Sequence, residues 1–270
     1  MSALSYFAQT YQAHFQITMT RYLAYRVELV IWLIAMILQP VVFMAVWSSA
    51  ALNSGGTVSG FTTNEISAYF ILAMLINHAT MAWVMWEWDA RVRNGELSYL
   101  LLRPNHVFHR DLGENITFKL ATFPVMLGTA VLLMAATHPH FSVTPHALAA
   151  LLPCLLMAFC LRFTVDWMCA MGAFFTTRVD ALNVLYFFVL LLFSGQMGPL
   201  PFLPKPLQVI ADFLPFRWTV DFPARLMMGK LADSEILPGL AAQAAWCVVI
   251  CGLCVFVWRK GVRGYTAVGI

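Results

Sequence analysis

Long apolar blocks leave this chain little choice of fold: Val30–Leu52, Ile66–Trp86, Ile116–Thr137, Leu148–Phe175 and Ile236–Trp258. A helix needs about 20 predominantly apolar residues to cross the hydrocarbon core of a bilayer. In lipid, backbone amides and carbonyls must find partners inside their own segment, which a helix provides. A sixth block, Ala181–Gly195, is shorter and needs extension to cross. Only 11% of the 270 residues are charged, against roughly 25% in soluble domains. The pattern predicts an all-α polytopic membrane protein. Six transmembrane helices are expected at about 30–52, 66–88, 116–137, 147–175, 179–197 and 236–258, forming one domain over 29–270.

The first 27 residues are not expected to be a cleaved leader, because they lack an apolar core of about 7–15 residues and contain Gln9, Gln12, His14, Gln16, Arg21 and Arg26. Leu4, Phe7, Tyr11, Phe15, Met19 and Tyr22 recur at helical spacing. That stripe predicts an amphipathic helix over residues 1–28, lying in the membrane interface. Arginine and lysine set orientation. Arg21 and Arg26 precede the first span, Arg91, Arg93, Arg103 and Arg110 lie between the second and third, and Arg259, Lys260 and Arg263 follow the last. The connections 53–65 and 138–145 hold neither Lys nor Arg. Both termini and the 89–115 connection are therefore expected in the cytoplasm.

The segment 196–235 is expected outside although it carries Lys205, Arg217, Arg225 and Lys230. Asp212, Asp221, Asp233 and Glu235 balance them. Six prolines between Pro199 and Pro223 break its apolar stretches, which suits re-entrant helices better than a span. Short outer-leaflet helices are predicted at Pro206–Leu214 and Thr219–Met228, within a re-entrant segment of about 198–232.

Several chemistries lack their motifs. There is no G-x-x-x-x-G-K-[ST] phosphate loop, no H-E-x-x-H and no G-x-S-x-G. Cys247, Cys251 and Cys254 have cluster-like spacing but lie inside the last apolar block, where small packing residues are the simpler reading. His138, His140 and His146 have no carboxylate or cysteine among them and read as solvated loop residues. No catalytic, cofactor-binding or metal-ligating residue is expected on this chain, and no nucleic-acid partner. Any energy source is an ion gradient or another polypeptide.

Polar groups inside the apolar blocks are costly and often functional. Arg162 and Asp166 lie one turn apart and are expected to neutralise each other, either as a packing pair or as part of a gate. Asn77 and His78 fall mid-span, where interhelical hydrogen bonding and a polar path lining are both open readings. Gln39-Pro40 predicts a kink. Lys119 is placed to snorkel to the surface.

The stretch from Asp89 to Pro104, Asp-Ala-Arg-Val-Arg-Asn-Gly-Glu-Leu-Ser-Tyr-Leu-Leu-Leu-Arg-Pro, predicts a short amphipathic helix at about 90–104. Leu97, Leu100 and Leu101 form an i, i+3, i+4 ridge, and Gly95 lets the chain turn. On the residues alone, the helix meets either a soluble partner or anionic lipid. Its Arg93-Asn-Gly-Glu-Leu…Leu-Leu-Arg-Pro104 pattern resembles one found in ABC-2 type permeases, the membrane subunits of ATP-binding-cassette exporters, in the branch with a separate ATPase. Ser194-Gly195 with the proline-rich outer helices, and the tail Gly261-Val-Arg-Gly-Tyr-Thr-Ala-Val-Gly269, extend the likeness over nearly the whole chain.

The resemblance implies a coupling helix held by a soluble ATPase, with Arg91, Arg93, Gly95, Glu96, Leu97, Leu100, Leu101 and Arg103 at the contact. ATP and Mg would sit on that ATPase. It also implies a second permease, same or related, in a bacterial plasma membrane. Asn77, His78, Tyr186, Phe187 and Phe188 would approach a path for a hydrophobic or amphipathic substrate. An ion-driven carrier and a non-transporting assembly subunit are the alternatives.

Overall fold

The computed structural model describes residues 3–176 and 179–265. Apolar blocks set where the helices run, and polar side chains set where they stop. α1 (Ala3–Ala24) meets α2 (Arg26–Asn53) at Tyr25, whose backbone leaves the helical region and makes the corner. α2 runs through Pro40 as one helix. A two-stranded hairpin follows, β1 (Thr57–Val58) against β2 (Phe61–Thr62). Ser59 and Gly60 both adopt positive φ between the strands, as two-residue hairpin turns favour.

Thr62 then starts α3 (Thr63–Thr80) with a reciprocal cap. Its hydroxyl accepts the Glu65 amide at 3.4 Å, and the Glu65 carboxylate accepts the Thr62 amide at 2.9 Å. The helix breaks at residues 81–83 and resumes as α4 (Val84–Arg93). α5 (Glu96–Leu101) and α6 (Val107–Thr137) follow. Thr144 caps α7 (Pro145–Ala170), which tightens into a 3-10 turn at Met171–Phe174. α8 (Val179–Phe193) leads to the proline-rich segment, which holds two short helices, α9 (Lys205–Asp212) and α10 (Asp221–Met228). α11 (Asp233–Gly264) closes the described chain.

Five helices among the described residues are long and apolar enough to cross a membrane: Arg26–Asn53, Thr63–Arg93 counted through its break, Val107–Thr137, Pro145–Phe174 and Asp233–Gly264. The protein is a multi-pass α-helical membrane protein. α8, with 15 residues, is roughly 22 Å long at 1.5 Å per residue, short of the roughly 30 Å hydrocarbon core. The span expected to reach 197 ends at Phe193 because Gly195 turns the chain at φ +93, and a Cβ there would lie 2.3 Å from the Tyr69 hydroxyl.

The second span is the axis of the bundle. Its apolar window is 78% buried, against 17% for α2, α6 and α11. α2, α6, α7 and α10 pack around α3, and α11 lies along α7. α6 begins at Val107, earlier than the expected 116, because the polar residues of its first turns are bonded within the fold instead of ending the helix.

α1 packs on the early part of α6. Its contact face differs from the predicted stripe. His14 and Tyr11 sit over Gly113, and Thr18 is buried, while Phe15 faces outward. The groove left by Gly113 accepts these side chains, and Tyr11 hydroxyl lies 3.0 Å from His109 Nδ1. Leu4 and Phe7 lie outside the described side chains.

Candidate functional site

The single helix expected over about 90–104 is divided between the end of α4, which closes the second span, and α5 in the connection to the third. Asn94 ends α4, and Gly95 at φ +72 reverses the chain before α5. Only glycine enters that left-handed region without steric cost, so the Asn-Gly pair divides the helix.

Arg91, expected at a partner contact, is buried and belongs to the frame. Its Nη1 donates to Asp111 Oδ1 at 2.6 Å, and its other terminal nitrogen pairs with Glu87 and lies 3.7 Å from Glu114. Asp111 Oδ2 accepts the indole N–H groups of Trp88 at 2.9 Å and Trp167 at 3.0 Å. One carboxylate thus ties α4, α6 and α7 together. Edge-to-face contacts of Trp88 with Trp167, Phe174 and Trp258 surround it.

The leucine ridge also points inward. Leu97 and Leu100 are 0% and 4% exposed and pack with Val92 and Val107, and Leu101 is half-buried beside them. A helix this short lies flat on the span ends, so its apolar face is covered by its own chain. That corrects the expectation that these leucines face a partner. What the turn displays is the opposite face: Arg93, Glu96, Tyr99, Leu102 and Arg103. Leu102 is 86% exposed, and the Arg103 guanidinium lies 5.2 Å above the Tyr99 ring. Arg93 pairs with Asp89 and is mostly solvated.

Two anchors hold the turn in place. Ser98 Oγ lies 3.1 Å from the Tyr265 hydroxyl, and the Tyr265 ring packs on Phe174. Burial holds the His106 imidazole below its ordinary pKa, so it is neutral near pH 7 and its Nδ1 accepts the Phe108 amide that starts α6. Residues 266–269 of the tail lie outside the described residues.

Inside the membrane, the expected Arg162–Asp166 ion pair is not formed among the described residues. Arg162 Nη1 instead donates to Asn77 Oδ1 at 2.5 Å and to Thr80 Oγ1 at 3.4 Å, both on α3. Asp166, one turn on, faces the Ala82 amide and the Tyr186 phenol. Both lie beside the break at 81–83. It frees backbone groups in a medium without water, and each needs a partner. Lys119 Nζ and Asn115 Nδ2 both donate to the Met81 carbonyl, at 2.5 and 3.2 Å. Lys119 was expected to snorkel outward; it reaches inward for this carbonyl.

Of the path candidates, Asn77 and Tyr186 meet at Arg162, and the others diverge. Asn77 is bonded to Arg162, and His78 lies 3.0 Å from Thr122 Oγ1 on α6. Tyr186 is buried beside Asp166, and Phe188 is exposed on the outer face of α8. Phe187 opens onto a cleft, against Trp83 and Trp86. Tyr99, Leu102 and Asp111 escaped the sequence reading. For the first two the signal existed, since helical spacing puts them opposite Leu97 and Leu100.

A broken central span, a rigid turn with one displayed face and a proline-rich segment are set in a multi-pass helical membrane protein. The family model described as ABC-2 family transporter protein matches residues 33–269. The chain belongs to that family, whose members are membrane transport subunits working with an ATP-binding-cassette protein. No curated protein and no solved structure matches the chain.

Proposed function

We propose that this chain is the permease subunit of an ATP-driven exporter, coupled to a separate cytoplasmic ATPase that holds ATP and Mg. With a second permease, the same or a related chain, it would form a path for a hydrophobic or amphipathic cargo in the bacterial plasma membrane. α8 serves as the short fifth of six crossings, which keeps both termini in the cytoplasm.

One observation carries this reading. Leu102, Tyr99 and Arg103 stand exposed on a turn whose inner face is fixed by Leu97, Leu100 and the Asp111–Arg91 pair. An exposed tyrosine ring under a guanidinium has the composition of an interface hot spot, and Leu102 beside it adds apolar surface. A rigid mounting lets such a contact transmit movement into α4 and across the break to α3.

The test is purification of the tagged chain from native membranes in mild detergent. An ATP-binding-cassette protein should co-purify and be lost when Tyr99 and Leu102 are both replaced by Ala. Recovery of the chain without any such protein, under detergents that preserve its fold, would contradict the proposal.

A further inference from the structure

A cleft of about 880 Å³ opens where the α1–α2 corner meets the inner ends of the second and third spans. One wall is aromatic and continuous. Trp32 lies 4.9 Å from Trp83, Trp83 lies 5.9 Å from Phe187, and Phe187 stacks on Trp86 at 6.0 Å with 16° between the planes. Trp32 and Trp86 keep substantial exposed surface.

The charges around this wall are mostly negative, four carboxylates against the Arg21 guanidinium. Two of the four are matched inside the fold. Asp111 takes Arg91 and two indoles, and Glu114 takes Arg110 at 3.3 Å. Glu87 shares Arg91 with both and keeps 45% of its side chain exposed. Glu28, in the first turn of α2, forms no ion pair among the described residues. The open space therefore joins ring faces to Glu28, outside any ion pair among the described residues, and to the part-exposed Glu87, which shares Arg91 and also faces the Arg21 guanidinium.

We infer that this cleft binds an amphipathic organic cation, with the cationic head between Glu28 and Glu87 and the apolar body on the Trp32–Trp83–Phe187–Trp86 wall. The volume is that of sites for drug-sized ligands. Ring faces attract cations, more strongly where water is partly excluded. An anion of the same shape meets the carboxylates and is repelled. The inference rests on the exporter reading for what the bound cation is there for, but binding itself needs neither ATPase nor transport. An ammonium-type cation reaches such a cleft either as a free molecule or as the ethanolamine headgroup of a lipid.

The full chain in phosphatidylglycerol nanodiscs, titrated with tetraphenylphosphonium and with tetraphenylborate while tryptophan fluorescence is followed, tests this directly. The two ions match in shape and differ in charge. The phosphonium should bind about tenfold or more tightly than the borate. Glu28→Gln and Glu87→Gln should each narrow that ratio roughly threefold or more, and Trp83→Leu should weaken phosphonium binding. Trp83 adjoins the helix break, so the exposed Glu28 carries the test if the tryptophan variant fails to fold. Lipids retained on purification separate the two sources. Enrichment of phosphatidylethanolamine over phosphatidylglycerol, lost in Glu28→Gln, assigns the site to a headgroup. Charge discrimination without lipid enrichment assigns it to a free cation. Equal affinity for the two ions, or phosphonium binding unchanged in both glutamine variants, overturns the inference. Absence of a co-purifying ATPase would remove the exporter reading and leave these binding results standing.

Discussion

At the end of the bundle proposed to face outward, Asp221 is enclosed within the fold; at the end proposed to face the cytoplasm, Arg103 and Leu102 are presented to whatever lies beyond it. Asp221 Oδ1 is 3.1 Å from both the Tyr69 hydroxyl and the Leu200 amide, and its own amide donates to the Ser194 carbonyl at 2.8 Å. Lys230 pairs with Glu65 at 2.6 Å, and Gln243 Nε2 donates to the carbonyls of Cys154 and Trp218. Within that segment Arg217 pairs with Asp212 and Arg225 lies 3.7 Å from Asp221, while Lys230 and Asp233 bond to Glu65 and His146 outside it. The inner turn also has a bonded frame, centred on Asp111, but its outward face remains uncovered. The difference separates a cap that seals the bundle from a surface available to a partner.

The strongest way to break this comparison is to remove the inner frame. Asp111→Ala takes from the buried Arg91 its one fully buried partner and leaves two indoles without an acceptor, and should cost about 3–5 kcal/mol. Thermal unfolding in detergent would read this as loss of most folded protein, and a variant unfolding within a few degrees of wild type would contradict the assigned role. Gly195→Ala follows at the outer end. The strained backbone alone costs about 1–3 kcal/mol, and the added Cβ meets Tyr69 and Asp221 at 2.3 and 2.8 Å. Lower yield and earlier unfolding are expected.

A milder outer change is Asp221→Asn, about 1–2 kcal/mol through weakened acceptance from Tyr69 and Leu200. Hydrogen exchange should rise over residues 196–232 and stay level over 94–106; a rise at both ends would dissolve the contrast. The smallest effect concerns α1. Burial is the largest influence on His14 and holds its pKa below the ordinary value. The folded state thus favours the neutral ring. The contribution is complete above the unfolded pKa of about 6.5 and declines as pH falls below it. Exchange of α1 amides, corrected for intrinsic rate, should increase between pH 7.5 and 5.5 and lose that increase in His14→Gln.

The long spans were legible because a run of about 20 apolar residues has few alternatives to a membrane helix. The outer helices were legible from proline spacing, and Gly95 from its chemistry. The orientation of α5 was not, because a ridge at i, i+3, i+4 looks the same whether its own chain or a partner covers it. Arg162 misled for a related reason: sequence spacing shows the acid one turn away on the same helix but not Asn77 across the interface. Asp111 was invisible since its partners Trp88, Arg91 and Trp167 come from separate segments. The break at 81–83 carries no proline or glycine to announce it, and the lysine that closes it looked like a surface anchor.

The central claim is that the outward face of the inner turn, and not its leucine ridge, meets the ATPase. Replacing Tyr99 and Leu102 together by Ala, then measuring both thermal unfolding and retention of the ATP-binding-cassette partner on the purified chain, tests it most directly. Stability should stay within about 0.5 kcal/mol of wild type, as for exposed positions, while partner retention falls roughly tenfold or more, as for hot-spot residues. Full retention of the partner by a normally folded double variant would contradict it.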